Sequence, residues 1–200
     1  MADPAYIVDG VLTDGDAWVA IASTTLTSDT ATVTFTSTDD GQTGDFSQYM
    51  DLVAIYYCST AGTGTSVPSS FYTTVNGDTS SVYDYQLVYG GGSSPSMGAA
   101  AYVSQSSWNI GDMPSNGDST NEMGVAILYL QDINSGKWKA GNVVAEAEGA
   151  AYGYLRMNGL IYKSPSPITS ITFDGSGDIR DTSSFDLFGI LPRMVGMVGA

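Results

Sequence analysis

Residues 30–36 read Thr-Ala-Thr-Val-Thr-Phe-Thr, with Ala31, Val33 and Phe35 on one side and four threonines on the other. A period of two is the period of a pleated strand, so this segment predicts a strand with one face on a core and the other on a surface. Short runs rich in Val, Ile, Tyr, Phe and Thr recur along the chain at fairly even spacing. They are Trp18–Ser23, Asp51–Cys58, Phe71–Val75, Tyr83–Tyr89, Ala99–Val103, Gly124–Leu130, Trp138–Val144, Tyr152–Met157, Ile168–Phe173 and Ser184–Ile190. Between them lie Asp39-Asp40-Gly41, Asn76-Gly77-Asp78, Gly90–Ser93, Asn116-Gly117-Asp118, Asn134-Ser135-Gly136 and Asp174–Asp178. Asn and Gly tolerate the positive φ that tight turns demand. The pattern predicts an all-β, jelly-roll-like antiparallel sandwich of about 10–11 strands.

Composition argues the same way. Eighteen of the 21 acids are aspartates, which favour turns, whereas glutamate and lysine, the usual occupants of helix surfaces, are scarce. Only Phe46–Met50 reads as a helical turn, placed to cap the start of a central strand. The 200 residues suit one domain. The expected division is an acidic N-terminal arm over 1–16, the sandwich over 17–190, and an apolar, glycine-punctuated tail over 191–200. Asp51–Cys58 and Gly124–Leu130 are apolar on both faces, as expected of central strands covered by the opposite sheet or by a neighbouring subunit. Cys58, the single cysteine, lies inside the first of these runs and is expected to act as a small core hydrophobe.

Much chemistry is excluded. The chain carries a net charge of −15 with no cluster of Lys or Arg, so it is not expected to bind nucleic acid. No run approaches the roughly 18 uninterrupted apolar residues of a membrane helix. The opening residues do not resemble a secretory signal, which implies synthesis in a cytoplasm. Without histidine there is no Ser-His-Asp or Cys-His arrangement. Gly90–Ser93 lacks the lysine and the helix of a phosphate cradle. A carboxylate pair can run glycoside hydrolysis without histidine, with Asp84 between Tyr83 and Tyr85, or Glu146 with Glu148, as examples.

Three sets of residues could bind something. Asp174, Ser176 and Asp178 place hard oxygen ligands at alternate positions, and Asp39-Asp40 with Asp45 place others around a glycine-rich loop, but the first set lacks a later bidentate glutamate and no cofactor is expected. Tyr83, Tyr85 and Tyr89 share a side of one strand and, with Trp108 and Trp138, could stack on a glycan; a core or interface role is the competing reading. Leu191, Met194, Val195, Met197 and Val198 make the tail an association hazard in water, which points to assembly.

The segments Trp18–Leu26 leading into Ala31–Phe35, Phe46–Val53, Tyr85–Gly90, Ile168–Phe173 and Ser184–Ile190 occur in an order that resembles a family of β-sandwich proteins of tailed, often marine, bacteriophages. These are tail-fibre, capsid-fibre or head-decoration proteins. The resemblance spans about residues 17–190 and rests on packing and turn residues. It implies a non-enzymatic virion structural protein, found in the virion and docking on other capsid or tail proteins. With no shaft or repeat, the chain is closest in expectation to a head-decoration or cement-like component docking as an oligomer, expected as a homotrimer. The alternative is the tip of a short tail fibre that binds a host-surface glycan.

Overall fold

The structure is a computed structural model that describes residues 7–8, 11–12, 18–38, 44–61, 69–91, 96–115, 122–149 and 152–191. Within the expected N-terminal arm, β1 (Ile7–Val8) pairs with β2 (Val11–Leu12) as a short hairpin. The chain then alternates between two antiparallel sheets. Strands β3 (Trp18–Thr25), β5 (Asp51–Cys58), β7 (Tyr83–Gly91), β8 (Met97–Gln105), β10 (Gly124–Gln131), β11 (Lys139–Gly149), β12 (Tyr152–Tyr162) and β14 (Ser184–Ile190) form the larger sheet. Its order is β3-β14-β5-β10-β11-β12-β7-β8. Strands β4 (Thr30–Thr36), β6 (Ser69–Val75), β9 (Trp108–Met113) and β13 (Ser170–Ile179) form the smaller sheet, in the order β4-β13-β6-β9. The architecture is an all-β sandwich of eight strands on four.

Alternation decides which side chains enter it. Along β5 and β10, Leu52, Ala54, Tyr56, Cys58, Ala126, Leu128 and Leu130 point inward and are buried. They meet Phe71, Phe173 and Phe185, whose rings pack with Tyr56 at centroid distances of 5.3–5.7 Å. Full burial of each such side chain stabilises the fold by roughly 1.5–3 kcal/mol. Cys58 lies in this core, where burial pushes its thiol well above the ordinary value and keeps it protonated. A second cluster, Tyr83, Trp108 and Tyr162, fills the space under β7 and β12.

Turns follow the expected chemistry where they are described. Asn76 and Gly77 have φ of 57° and 63° between Val75 and Asp78, and the Asp78 N–H donates to the Val75 carbonyl at 3.0 Å. Residues 46–48 form a single 3-10 turn, with the Asp45 carboxylate accepting from the Ser47 N–H and hydroxyl. Ahead of β11, the ammonium of the buried Lys139 donates to the carbonyls of Ser135, Lys137 and Pro165 and so closes the β10–β11 turn.

Two expectations need correction. Residues 174–178 are not a loop between strands: they are a bulged part of β13, whose register with β4 jumps between Asp174 and Ile179. Residues 108–113 carry no clear alternation in sequence yet form β9, which lies across β11 and flanks β10, β12 and β7.

Candidate functional site

The smaller sheet packs on one face of the larger, and the opposite face of the larger carries exposed side chains such as Ile127, Val144, Met157 and Val88, although Val53 at its β5 end is buried. Register places one residue from each of six neighbouring strands in a single row: Ile55, Ile127, Val144, Met157, Val88 and Ala99. All six are apolar, and the four from β10, β11, β12 and β7 are between 41% and 50% exposed. The next row contains Tyr57, Val125, Leu155 and Met97 together with Glu146 and Gly90. The row on the other side runs from Val53 and Tyr129 through Asn142, Gly159 and Gln86 to Ala101. Across these three rows Glu146 is the single charged side chain. Strand spacing makes the area about 24 Å across and about 14 Å along the strands. A contiguous apolar patch of a few hundred Å² on a folded chain marks an interaction surface.

The face is also concave. Small residues at Ala99, Ala101, Ala140 and Gly159 leave two adjoining depressions of about 410 and 590 Å³, which share Gln86, Ala101 and Gly159 in their walls. A side chain added at Gly159 would meet no atom within 4 Å. At the rim, Lys163 Nζ lies 2.7 Å from Asp84 Oδ1. The Lys163 ammonium, and after it the Ser104 N–H, holds the Asp84 carboxyl below its ordinary value. Asp84 is therefore a paired rim charge, and what the face offers a ligand is apolar area.

The residues singled out for glycan stacking separate in the structure. Tyr83 and Trp108 are corrected to core positions, each with 0% exposure. The Tyr83 hydroxyl accepts from the Val75 N–H at 3.0 Å and donates to the Asp78 carbonyl at 2.7 Å. The indole N–H of Trp108 donates to the carbonyls of Asp84 and Ile161, both at 3.1 Å. Tyr85 is also buried, stacked on Tyr102 at 4.8 Å. Tyr89 is at the surface, but its ring lies over Gly98, where a β-carbon would come within 2.3 Å of it. Trp138 is 62% exposed.

The calcium candidates fare no better. Asp174, Ser176 and Asp178 alternate on the exposed side of β13, and desolvation alone raises the Asp174 carboxyl. Among the described residues no group of three or more His, Cys, Asp or Glu could hold a metal ion. Asp39 and Asp40 lie outside the described residues. Glu146 is exposed on the outer face. Of the assembly residues, Leu191 is buried at 5% exposure, so it is corrected from tail to sandwich. Met194, Val195, Met197 and Val198 lie outside the described residues.

What the sequence reading missed is the outer face itself. The signal was present in β5 and β10, apolar on both sides, and it extends through Val144, Met157 and Val88 on strands that seemed to need only one buried face. The site so defined is an exposed apolar face on a β-sandwich. Compared with known proteins, the chain matches no family model, no curated protein and no solved structure.

Proposed function

We propose that the chain is a non-enzymatic structural component of a tailed-phage particle, docking on other virion proteins through the outer face of its larger sheet. The observation that carries the docking reading is the six-strand apolar row from Ile55 to Ala99. A sheet that is apolar on both faces is the arrangement expected when both faces are covered. The placement on a phage particle is supported by the segment order described above, and the compact, shaftless sandwich favours a head-decoration or cement-like role over a fibre. Charge is consistent with a fixed contact: a strongly acidic chain that docked through its charges would carry them on its contact face. The glycan-binding alternative has lost Tyr83, Tyr85 and Trp108 to the core, three of its five aromatic candidates.

The test is incorporation. Ile127→Lys combined with Val144→Lys places two ammonium groups in the centre of the row without touching the core. The copy number of the chain per purified particle, measured by quantitative mass spectrometry, is expected to fall more than tenfold for the double variant. Absence of the wild-type chain from the particles would overturn the virion reading, and wild-type occupancy by the variant would overturn the docking face.

A further inference from the structure

We propose that β8 is a self-association strand, through which two copies of the chain add edge to edge, antiparallel and about a two-fold axis. β8 ends the larger sheet, and among the described residues nothing pairs with its outer side. Its outer face is open as well: Met97 is 88% exposed and Val103 66%, while on the inner face Tyr102, stacked on Tyr85, is 42% exposed and Ala100 packs against the core. Edge strands carry unpaired N–H and C=O groups, and folded proteins blunt them with charges, prolines or bulges. Here the blunting covers one end only. The register slips between Tyr83 and Tyr85, Ser104 has a φ of 55°, the Ser104 N–H donates to Asp84, and the Gln105 amide donates to the Val103 carbonyl. Residues 97–102 have no such protection.

The self-complementarity of an antiparallel edge and the absence of charge along it point to a second copy as the occupant. No charged residue occurs from 85 through 111, in a chain with 21 acids and 6 bases. The nearest charges, Asp84 and Lys163, neutralise each other at 2.7 Å. Two molecules of net charge −15 repel at a distance, so a contact between them belongs where neither presents a charge. An antiparallel strand pair is self-complementary, because its hydrogen-bond pattern repeats under a two-fold rotation. The contact joins two copies, not the expected three, and it runs along the border of the docking face, whose rows end on Met97, Ala99 and Ala101.

Sedimentation equilibrium of the full chain tests it. The expected result is a monomer–dimer equilibrium that tightens as salt rises, since salt screens the long-range repulsion and the contact holds no ion pair. Ala99→Glu and Ala101→Glu, both at exposed positions, set like charges across the joint and are expected to raise the dissociation constant at least tenfold. Thr32→Glu adds the same charge on the smaller sheet and is expected to leave it within about twofold, as is Ile127→Lys on the docking face. Should either glutamate variant fail to fold by circular dichroism, wild-type hydrogen exchange decides: the amides of 97–102 are expected to slow as protein concentration rises. A monomer at all concentrations, a trimer, dimerisation indifferent to both glutamates, or concentration-independent exchange would each overturn the proposal.

Discussion

Tyr83 and Tyr56 are both buried tyrosines with opposite hydrogen-bond fates. The Tyr83 hydroxyl serves Val75 and Asp78, whereas the Tyr56 hydroxyl has no hydrogen-bond partner among the described residues. Tyr83→Phe orphans the Val75 N–H and is expected to cost about 1–3 kcal/mol by urea unfolding. Tyr56→Phe removes a stranded polar atom and is expected to be neutral or stabilising. Equal losses would refute the hydrogen-bond assignment. Asp78 makes a prediction for acid. The Ser80 hydroxyl first, then the Ser80 N–H, holds its carboxyl below the ordinary value. On acidification the unfolded chain takes this proton before the folded one, so the stabilisation is full above the unfolded value near 3.9 and is lost as pH falls through the lower folded value. Asp78→Asn is expected to flatten the acid limb of the urea midpoint against pH; an unchanged limb would contradict it. At this scale the sequence was readable but misweighed. In Tyr83-Asp84-Tyr85-Gln86-Leu87 the polar partners mark the outer side, and the tyrosines share Leu87's inward side, so alternation already put them in the core.

At the scale of elements, the boundaries of β4, β5 and β14 are those the sequence pattern predicts, β5 from its doubly apolar run. Their runs are uninterrupted, so local pattern and tertiary burial agree. β9 was not legible because Asn109, Gly111 and Asp112 break its run, each for a tertiary reason. Asp112 pairs with Arg156 of β12 at 3.0 Å. Asn109 accepts from Asn158 through its carbonyl. Gly111 sits at a bulge against β6 with a φ of 154°, and a β-carbon there would lie 2.8 Å from that of Ala145. Gly111→Ala therefore forces both backbone and neighbour, and is expected to cost about 1–3 kcal/mol by chemical denaturation. A loss below a few tenths would show that β9 does not rest on β11 as described. The bulge of β13 was misread for the converse reason, since Asp174-Gly175-Ser176-Gly177-Asp178 has turn composition but remains inside a strand held by β4 and β6.

For the whole molecule, the defining feature is the mismatch between eight strands and four. The smaller sheet buries one face of the larger, and alternation on the larger sheet should then leave its other face polar. It does not: the row from Ile55 to Ala99 is apolar throughout. Sequence could reveal doubly apolar strands but not their alignment, which is set by register between strands distant in the chain. The acidic surplus, carried outside this row, keeps the remaining surface solvated. Hydroxyl-radical footprinting at Met157, half exposed in the middle of the row, tests the central claim most directly. The methionine is expected to oxidise readily in the free chain and to be protected at least severalfold in the assembled particle. Equal oxidation in the two states would mean that the outer face is not where this protein docks.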